Sequence, residues 1–200
     1  EGLFDKQVLF FPASYRKAFD FTQTDSAHVL QRAETLNTLN HTSELPRLVV
    51  TYPEALAEKV INRNDLEKNT LEITQNSSLD IDFINEFLQE YEFERVDFVY
   101  EPGQYAIRGG IVDIFSFSND LPYRIEFFGN EIDSIRTFDV ESQLSVSKIH
   151  TVTIVPNVQA KFLTEGNISL LEYIAADSAI WFEDVQVTLD IVARGYKKAG

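Results

Sequence analysis

The sequence has 200 residues, of which 44% are hydrophobic and 24% are charged. This composition is typical of a globular protein with one large or two small domains, and it excludes disordered, collagen-like and coiled-coil chains. The absence of cysteine also excludes disulfides, thiolate metal sites and cysteine nucleophiles. The sequence begins at Glu1 and contains no methionine, which predicts a processed chain or an excised fragment.

The chain is strongly acidic, with 32 acidic and 17 basic residues and a net charge of −15. Such a surface repels nucleic-acid phosphates, so we expect no strong binding of DNA or RNA by this chain. No apolar run approaches membrane-spanning length, and the N-terminus does not have the pattern of a signal peptide. We therefore expect a cytoplasmic protein with no membrane partner.

Residues 1–68 show strand and helix signals in alternation. The predicted elements are strands over residues 8–11 and 48–50 and helices over residues 25–40 and 53–60. Pro53 stands at the first position of the last helix, where its missing N–H is not needed. Short apolar strands that alternate with helices are typical of an α/β layer with buried parallel strands.

Residues 69–157 have a different pattern, which predicts a separate and mostly antiparallel α+β domain. A strand over residues 70–74 and a helix over residues 80–91 come first. Strand-like runs separated by turn residues follow, over residues 95–100, 104–108, 111–117, 123–128, 131–139 and 149–155. This segment holds 16 acidic and 5 basic residues, a net charge of −11, against −4 for the rest of the chain.

Residues 158–200 return to the α/β pattern. They predict a short helix over residues 170–175, an apolar strand over residues 179–182, and a helix that begins after Asp184 and ends near Gly195. The first and last segments are therefore predicted to form one α/β lobe, into which residues 69–157 are inserted.

The sequence offers little for catalysis. It contains no G-x-x-x-x-G-K-[ST] phosphate loop, no G-x-G-x-x-G fingerprint and no G-x-S-x-G elbow. The dispersed His28, His41 and His150 fit no metal-binding spacing, so surface or packing roles are favoured. Glu183 and Asp184 follow an apolar run, as do acids that hold Mg²⁺ in nucleotide hydrolases, but without a phosphate loop we favour Asp184 as a helix cap. We expect no catalytic residue, no metal and no cofactor in this chain.

One surface of the middle segment combines arginines with an aromatic ring. Period-two alternation over residues 123–128 places Arg124 and Phe128 on one face of a strand. The same alternation over residues 104–108 places Arg108 on the same face of its strand as Ala106. If these two strands are neighbours with their charged faces on the same side, Arg108, Arg124 and Phe128 form one patch.

The residue types leave two interpretations of this patch open. Arginine and aromatic residues are enriched at the energetic centres of protein interfaces. Alternatively, the arginines neutralise nearby acids. A two-residue turn at Gly129–Asn130 would set Glu126 opposite Asp133, and facing like charges of this kind need a cation close by.

Two stretches of the middle segment carry a specific resemblance. Tyr100–Phe115 (YEPGQYAIRGGIVDIF) and Pro122–Asp139 (PYRIEFFGNEIDSIRTFD) resemble the UvrB-like module of bacterial nucleotide excision repair. This module occurs in the excinuclease component UvrB and in transcription-repair coupling factors. The entry Pro122–Arg124 and the stretch Thr137–Gln143 are more similar to the coupling factors. A weaker likeness extends from Leu9 to about Asp184.

The resemblance implies that the inserted domain docks onto UvrA, the damage-recognition ATPase of the pathway. Carried over by motif position, the docking residues are Arg108 in the Ile-Arg-Gly-Gly turn, Arg124 before the Glu-Phe-Phe run, and Phe128 at the end of that run. The implied mechanism is direct contact, in which the arginines bond to carboxylates of UvrA and the ring of Phe128 fills an apolar site.

The resemblance also implies what this chain lacks. The α/β segments correspond to an incomplete P-loop or helicase-like lobe, without the strands that carry the phosphate loop in UvrB. The polymerase-binding domain and the ATP-driven translocase motor of a coupling factor are missing too. A parent protein is implied to use ATP and Mg²⁺ and to reach RNA polymerase and DNA through those domains. The role implied for this fragment is non-enzymatic recruitment of UvrA to RNA polymerase stalled at DNA damage.

Two alternatives to this role stay open. In the first, the chain is a fragment of UvrB itself, an ATP-dependent protein that binds damaged DNA. In the second, its patch is an internal clamp, where the same residues hold the parent protein's own C-terminal domain and mask the docking surface.

Overall fold

The computed structural model describes residues 8–14, 26–41, 47–157 and 167–199, and the chain divides into two compact units. One unit combines residues 1–68 with residues 158–200, and the other consists of residues 69–157. Within the described ranges, no helix is both long enough and apolar enough to cross a membrane.

In chain order, the elements are β1 (Val8–Phe11), α1 (Ser26–Asn40), β2 (Leu48–Thr51), α2 (Pro53–Leu56), β3 (Lys59–Val60), α3 (Arg63–Lys68), β4 (Leu71–Thr74), α4 (Ile81–Glu90), β5 (Glu94–Arg95), β6 (Gln104–Arg108), β7 (Ile111–Ile114), β8 (Tyr123–Phe128), β9 (Glu131–Phe138), β10 (Ser145–Ile149), β11 (Thr151–Ile154), β12 (Ile168–Ser169), α5 (Leu170–Tyr173) and α6 (Val185–Ala199).

In the first unit, β1 and β2 form the predicted parallel pair, with Val8 opposite Leu48. Helix α1 covers one face of this pair, where the guanidinium of Arg32 lies 4.3 Å from the ring centre of Phe11. The other face carries side chains that are 39–51% exposed, those of Val8, Phe10, Leu48 and Val50. The prediction that both strands are buried is therefore wrong for this face of the pair.

Three further predictions for the first unit are corrected by the structure. Helix α2 ends at Leu56 rather than at Val60, because Val60 joins β3 and pairs with Ile168 of β12. Residues 179–182 do not form a strand, and the side chain of Trp181 is 93% exposed. Helix α6 continues through Gly195 to Ala199. A Cβ atom at Gly195 would lie 2.5 Å from the Cβ of Ala57, so this glycine permits a close approach and does not end the helix.

In the second unit, all of whose residues are described, six strands form one sheet in the order β10-β9-β8-β7-β6-β5. Neighbouring strands are antiparallel except β5 and β6, and β4 pairs separately with β11. This agrees with the predicted mostly antiparallel α+β character. Helix α4 begins at its predicted cap, where the Asp82 N–H donates to Asp80 Oδ1 at 2.9 Å.

The sheet of the second unit has apolar side chains on both faces. On one face, the Tyr105 hydroxyl donates to Asn85 of α4 at 3.0 Å, while Ile84 and Leu88 of that helix are buried. On the opposite face, a smaller cluster contains Val99, Ala106, Phe115 and Phe138. A strand was predicted over residues 95–100, but β5 ends at Arg95. Residues 96–100 are not a strand, and Val99 packs into this cluster. The predicted strand 149–155 is also divided, at His150, between β10 and β11.

Candidate docking surface

One face of the six-stranded sheet collects most of the basic residues of the second unit. Strand register places Ala106, Asp113, Arg124, Arg136 and Lys148 directly opposite one another in a single row. Arg108 lies two residues beyond Ala106 and so has the same face. Four of the five basic residues between positions 69 and 157 therefore share this face, and the fifth, Arg95, is paired with Tyr105 on the other.

Asp113 joins the two predicted arginines. Its carboxylate is fully buried and accepts from Arg124 Nε at 2.8 Å and from Arg124 Nη2 at 2.9 Å. Arg108 also forms an ion pair with this carboxylate, through Nη2 and Oδ2. Strand β7 lies between β6 and β8, so the supposition that the two arginine-bearing strands are neighbours is wrong. The arginines meet because the strand between them carries an acid.

Each of the two arginines has further contacts that fix its orientation. Arg108 Nη1 donates to the Asp97 carbonyl at 2.6 Å, and its guanidinium lies 5.4 Å from the ring centre of Phe98. Arg124 Nη1 donates to the Gln143 carbonyl at 3.1 Å, and its guanidinium lies 4.4 Å from the ring centre of Phe138. The hydrogen bonds to Asp113 raise the pKa of Arg124, so this side chain remains charged at neutral pH.

A second ion pair occupies the same face. Arg136 pairs with Glu126, and the Ser134 hydroxyl donates to Glu126 Oε2 at 2.8 Å. Glu126 lies opposite Ser134 and not opposite Asp133, because the register shifts between Glu126 and Phe127 and leaves Asp133 as the extra residue of a β-bulge. The predicted repulsion between Glu126 and Asp133 therefore does not arise.

Phe128 lies at the tip of the β8–β9 hairpin, and its side chain is 83% exposed. Gly129 follows with a φ of 62°, a left-handed conformation that most side chains disfavour. Residues 77–79, which follow β4, are hydrogen-bonded to this tip. The Leu79 N–H donates to the Asn130 carbonyl at 2.9 Å, and the Ile132 N–H donates to the Ser77 carbonyl at 3.0 Å. An exposed ring thus stands on a tip whose main chain is hydrogen-bonded.

The end of the sheet that carries Phe128 also carries Arg108. Arg108 is followed by the Gly109–Gly110 turn, and the Phe127 N–H donates to the Gly110 carbonyl at 2.8 Å. A Cβ atom at Gly110 would lie 3.0 Å from the Phe127 carbonyl oxygen, so the absence of a side chain permits this approach. Alternation along β8 gives Phe128 the same face as Arg124.

The sequence pattern singled out Arg108, Arg124 and Phe128 but not Asp113. A signal was present, because Asp113 is the one acid in the apolar run Ile111–Phe115. A charged residue inside such a run needs a partner when it is buried. Phe98 was missed as well, since it falls in a run that alternation assigned to a regular strand.

Of Glu183 and Asp184 in the first unit, Asp184 caps a helix, as the sequence analysis favoured. The Val187 N–H donates to Asp184 Oδ1 at 2.9 Å, at the start of α6. In the part of the chain that the structure describes, no group of three or more histidine, aspartate or glutamate side chains is arranged to hold a metal ion.

Comparison with known proteins identifies the family of the second unit. Residues 71–159 match the family model of the UvrB interaction domain. The transcription-repair-coupling factor of Escherichia coli (strain K12) is 34% identical over 122 residues, which cover 60% of this chain and 11% of that protein. The coupling factor of Bacillus subtilis (strain 168) is 30% identical over 153 residues, which cover 76% of this chain and 13% of that protein.

A second class of relatives matches a shorter stretch. The UvrABC system protein B of Clostridium botulinum (strain Loch Maree / Type A3) is 34% identical over 96 residues, which cover 48% of this chain and 14% of that protein. The chain therefore spans only 11–14% of the length of these curated relatives. Residues 71–159 are therefore a UvrB interaction domain, and the chain that contains them is similar to transcription-repair-coupling factors and to a UvrABC system protein B.

Proposed function

We propose that this chain is the UvrA-docking part of a transcription-repair coupling factor, and that Arg108, Arg124 and Phe128 make the contact. We call these three residues the docking surface. In this role the chain recruits UvrA to RNA polymerase stalled at DNA damage. It carries out no chemistry itself, and the ATP-driven translocation, the Mg²⁺ and the contacts to polymerase and DNA belong to other parts of a parent protein.

The observation that carries the proposal is the concentration of arginine on one face of an acidic unit. Residues 69–157 have a net charge of −11, yet four of their five basic residues lie on the face of the sheet that ends at Phe128. Arginine and exposed aromatic rings are the residue types that dominate the energetics of protein interfaces. Almost all of this segment also matches the UvrB interaction domain, over residues 71–159.

The contacts available to a partner follow from what each side chain leaves exposed. The side chain of Arg108 is 37% exposed and that of Arg124 is 17% exposed. A guanidinium has five N–H donors, and the bonds within the unit use only part of them. The remaining donors bind carboxylates of UvrA, while the ring of Phe128 enters an apolar site beside them.

The proposal is tested by isothermal titration calorimetry of the 200-residue chain with purified UvrA. The wild type is expected to bind. Phe128→Ala and Arg108→Ala are each expected to cost about 2 kcal/mol of binding free energy, the usual size of an interface hot spot. Two matched controls lie outside the surface: Phe83→Ala removes a ring that is 49% exposed on α4, and Arg95→Ala removes an exposed arginine on the other face of the sheet.

The alternatives give different results in this experiment. If the controls weaken binding as much as the docking variants do, the surface is wrong although the partner is right. If the folded wild type does not bind UvrA, the proposed function fails. Binding of a separately produced C-terminal domain of a coupling factor, in place of UvrA, would then support the internal clamp.

A further inference from the structure

We infer that Asp113 is the positioning residue of the docking surface: one buried carboxylate orients the guanidinium groups of Arg108 and Arg124 toward an acidic group of the partner. This inference rests on the proposed function for the identity of the partner. The orientation of the arginines by Asp113 is a property of this chain alone and can be measured without UvrA.

Asp113 occupies a position where a carboxylate is costly. Its side chain is fully buried in β7, an inner strand of the sheet, where a carboxylate loses its hydration. A buried charge of this kind is tolerated only when it is paired and hydrogen-bonded. Val112 and Ile114 on either side of it face the opposite side of the sheet and are buried there, so Asp113 is the one charged residue of this strand.

The two ion pairs of Asp113 have complementary geometry. Arg124 reaches both carboxylate oxygens, from Nε at 2.8 Å and from Nη2 at 2.9 Å, which is a two-pronged contact of fixed direction. Arg108 approaches Oδ2 from the strand on the other side. Ala106 lies directly opposite Asp113 on that strand, and its small side chain leaves space for Arg108 to reach across.

Both arginines stay ordered while part of each remains open to a partner. Besides Asp113, each arginine is held by a main-chain oxygen and an aromatic ring, Asp97 and Phe98 for Arg108 and Gln143 and Phe138 for Arg124. A partner therefore meets two ordered guanidinium edges and does not have to order flexible side chains on binding. Two arginines share one buried negative charge, so the cluster keeps an excess positive charge that an acidic group neutralises.

The test compares Asp113→Asn with Glu126→Gln in the 200-residue chain. Both variants remove one carboxylate from the same face of the same sheet and keep the size of the side chain. Asp113 bonds to both docking arginines, whereas Glu126 bonds to Arg136 and acts on Arg124 through its charge alone. Titration with UvrA is expected to show binding about tenfold weaker or more for Asp113→Asn and unchanged for Glu126→Gln.

A readout that does not involve UvrA separates positioning from general stability. In ¹H–¹⁵N spectra of the wild type, the Arg124 Nε–H proton is expected to exchange with water at least about tenfold more slowly than the Arg95 Nε–H proton, because it is donated to a buried oxygen. In Asp113→Asn this slow exchange is expected to disappear, while the main-chain amides of β8 and β9 keep their wild-type chemical shifts. The wild-type measurement also decides the matter if Asp113→Asn fails to fold.

Each outcome has one meaning. Equal exchange of the Arg124 and Arg95 Nε–H protons in the wild type overturns the inference. So does a folded Asp113→Asn variant that binds UvrA as well as the wild type does, while the proposed function survives. If the wild type does not bind UvrA but the exchange pattern is as expected, the proposed function fails and the positioning of the arginines by Asp113 stands.

Discussion

The six-stranded sheet of residues 69–157 and the parallel strand pair of the other unit differ in how many of their faces are buried. In the larger sheet, Ile125 on one face and Phe138 on the other are both fully buried. In the parallel pair, one face packs under α1 while Phe10 and Val50 on the other face are 39% and 46% exposed. Parallel strands are normally covered on both faces. The comparison indicates that residues 69–157 have a core of their own, whereas the described part of the other unit leaves apolar surface in contact with water.

The largest effect is expected from separating the two units. Residues 69–157 produced alone are expected to give dispersed NMR spectra and one cooperative unfolding transition. A chain in which a short glycine-serine linker replaces this segment is expected to aggregate, because its exposed apolar side chains include Val8, Leu48 and Trp181. This contrast between the units is wrong if the linker chain is monomeric and unfolds cooperatively while residues 69–157 alone are unfolded.

A pair of truncations in the two sheets sharpens the same contrast. Ile125→Ala empties a position with 0% exposure and is expected to lower the free energy of unfolding by about 2–5 kcal/mol. Val50→Ala removes a side chain that is 46% exposed, and a loss below about 1 kcal/mol is expected because much of that side chain is already hydrated. Urea denaturation followed by far-ultraviolet circular dichroism measures both. Equal losses would contradict the difference in burial.

An ion pair in the first unit gives a smaller expected effect. The side chain of Arg32 is 4% exposed, and its Nη1 lies 2.9 Å from Glu58 Oε2 and donates to the Pro12 carbonyl at 2.7 Å. Burial lowers the pKa of Arg32. Arg32→Ala is expected to cost about 2–3 kcal/mol, somewhat less than the loss of a fully buried pair, because Glu58 is 27% exposed.

The control for Arg32→Ala is Arg47→Ala, which removes an exposed hydrogen bond from Arg47 Nη1 to the His41 carbonyl. A change within about 0.5 kcal/mol is expected for it. If thermal unfolding shows equal losses for the two variants, the buried pair does not stabilise this unit.

The smallest expected effect is a dependence on acid pH in the turn that follows β9. The Asp139 carboxylate accepts from the Ser142 hydroxyl at 2.7 Å and from the Ser142 N–H at 2.8 Å, and these bonds lower the pKa of Asp139. A depressed pKa means that the carboxylate stabilises the folded turn above the pKa of the unfolded chain, and this contribution is lost as the pH falls through the lower folded value. Titration of the Asp139 carboxyl carbon by NMR is expected to give a midpoint below that of an unstructured aspartate, with the Ser142 amide following the same curve.

The same titration of Asp139→Asn provides the comparison for this turn. An amide oxygen still accepts from Ser142 but does not titrate, so the Ser142 amide is expected to be insensitive to pH between about 2 and 5. A wild-type midpoint at or above that of an unstructured aspartate would show that the hydrogen bonds to Ser142 do not favour the charged form.

The features that the sequence predicted well are local ones. The cap at Asp80, the helix after it and the strands on either side of Gly129–Asn130 follow from capping, periodicity and turn residues within about twenty positions, and the structure confirms them. The apolar run at residues 179–182 has strand composition, but in the described residues it pairs with no strand. Composition alone does not provide a partner.

The arrangement of the candidate surface was only partly predictable for the same reason. Alternation assigned Arg108 and Arg124 to faces of their own strands, but it does not specify which strand lies between them. Asp113 and the bulge at Asp133 depend on the order and register of β6 to β9, which long-range pairing determines. The roles of Arg108, Arg124 and Phe128 in binding a partner remain predictions until binding to UvrA is measured.

The pairing of β4 with β11 has a consequence for the engineering of this unit. These are the first and last strands of residues 69–157, and Leu71 lies directly opposite Ile154. The chain therefore enters and leaves the unit through two hydrogen-bonded strands whose ends are only about 5 Å apart. Because its ends are this close, residues 69–157 can be inserted at an exposed loop of another protein without separating the ends of that loop.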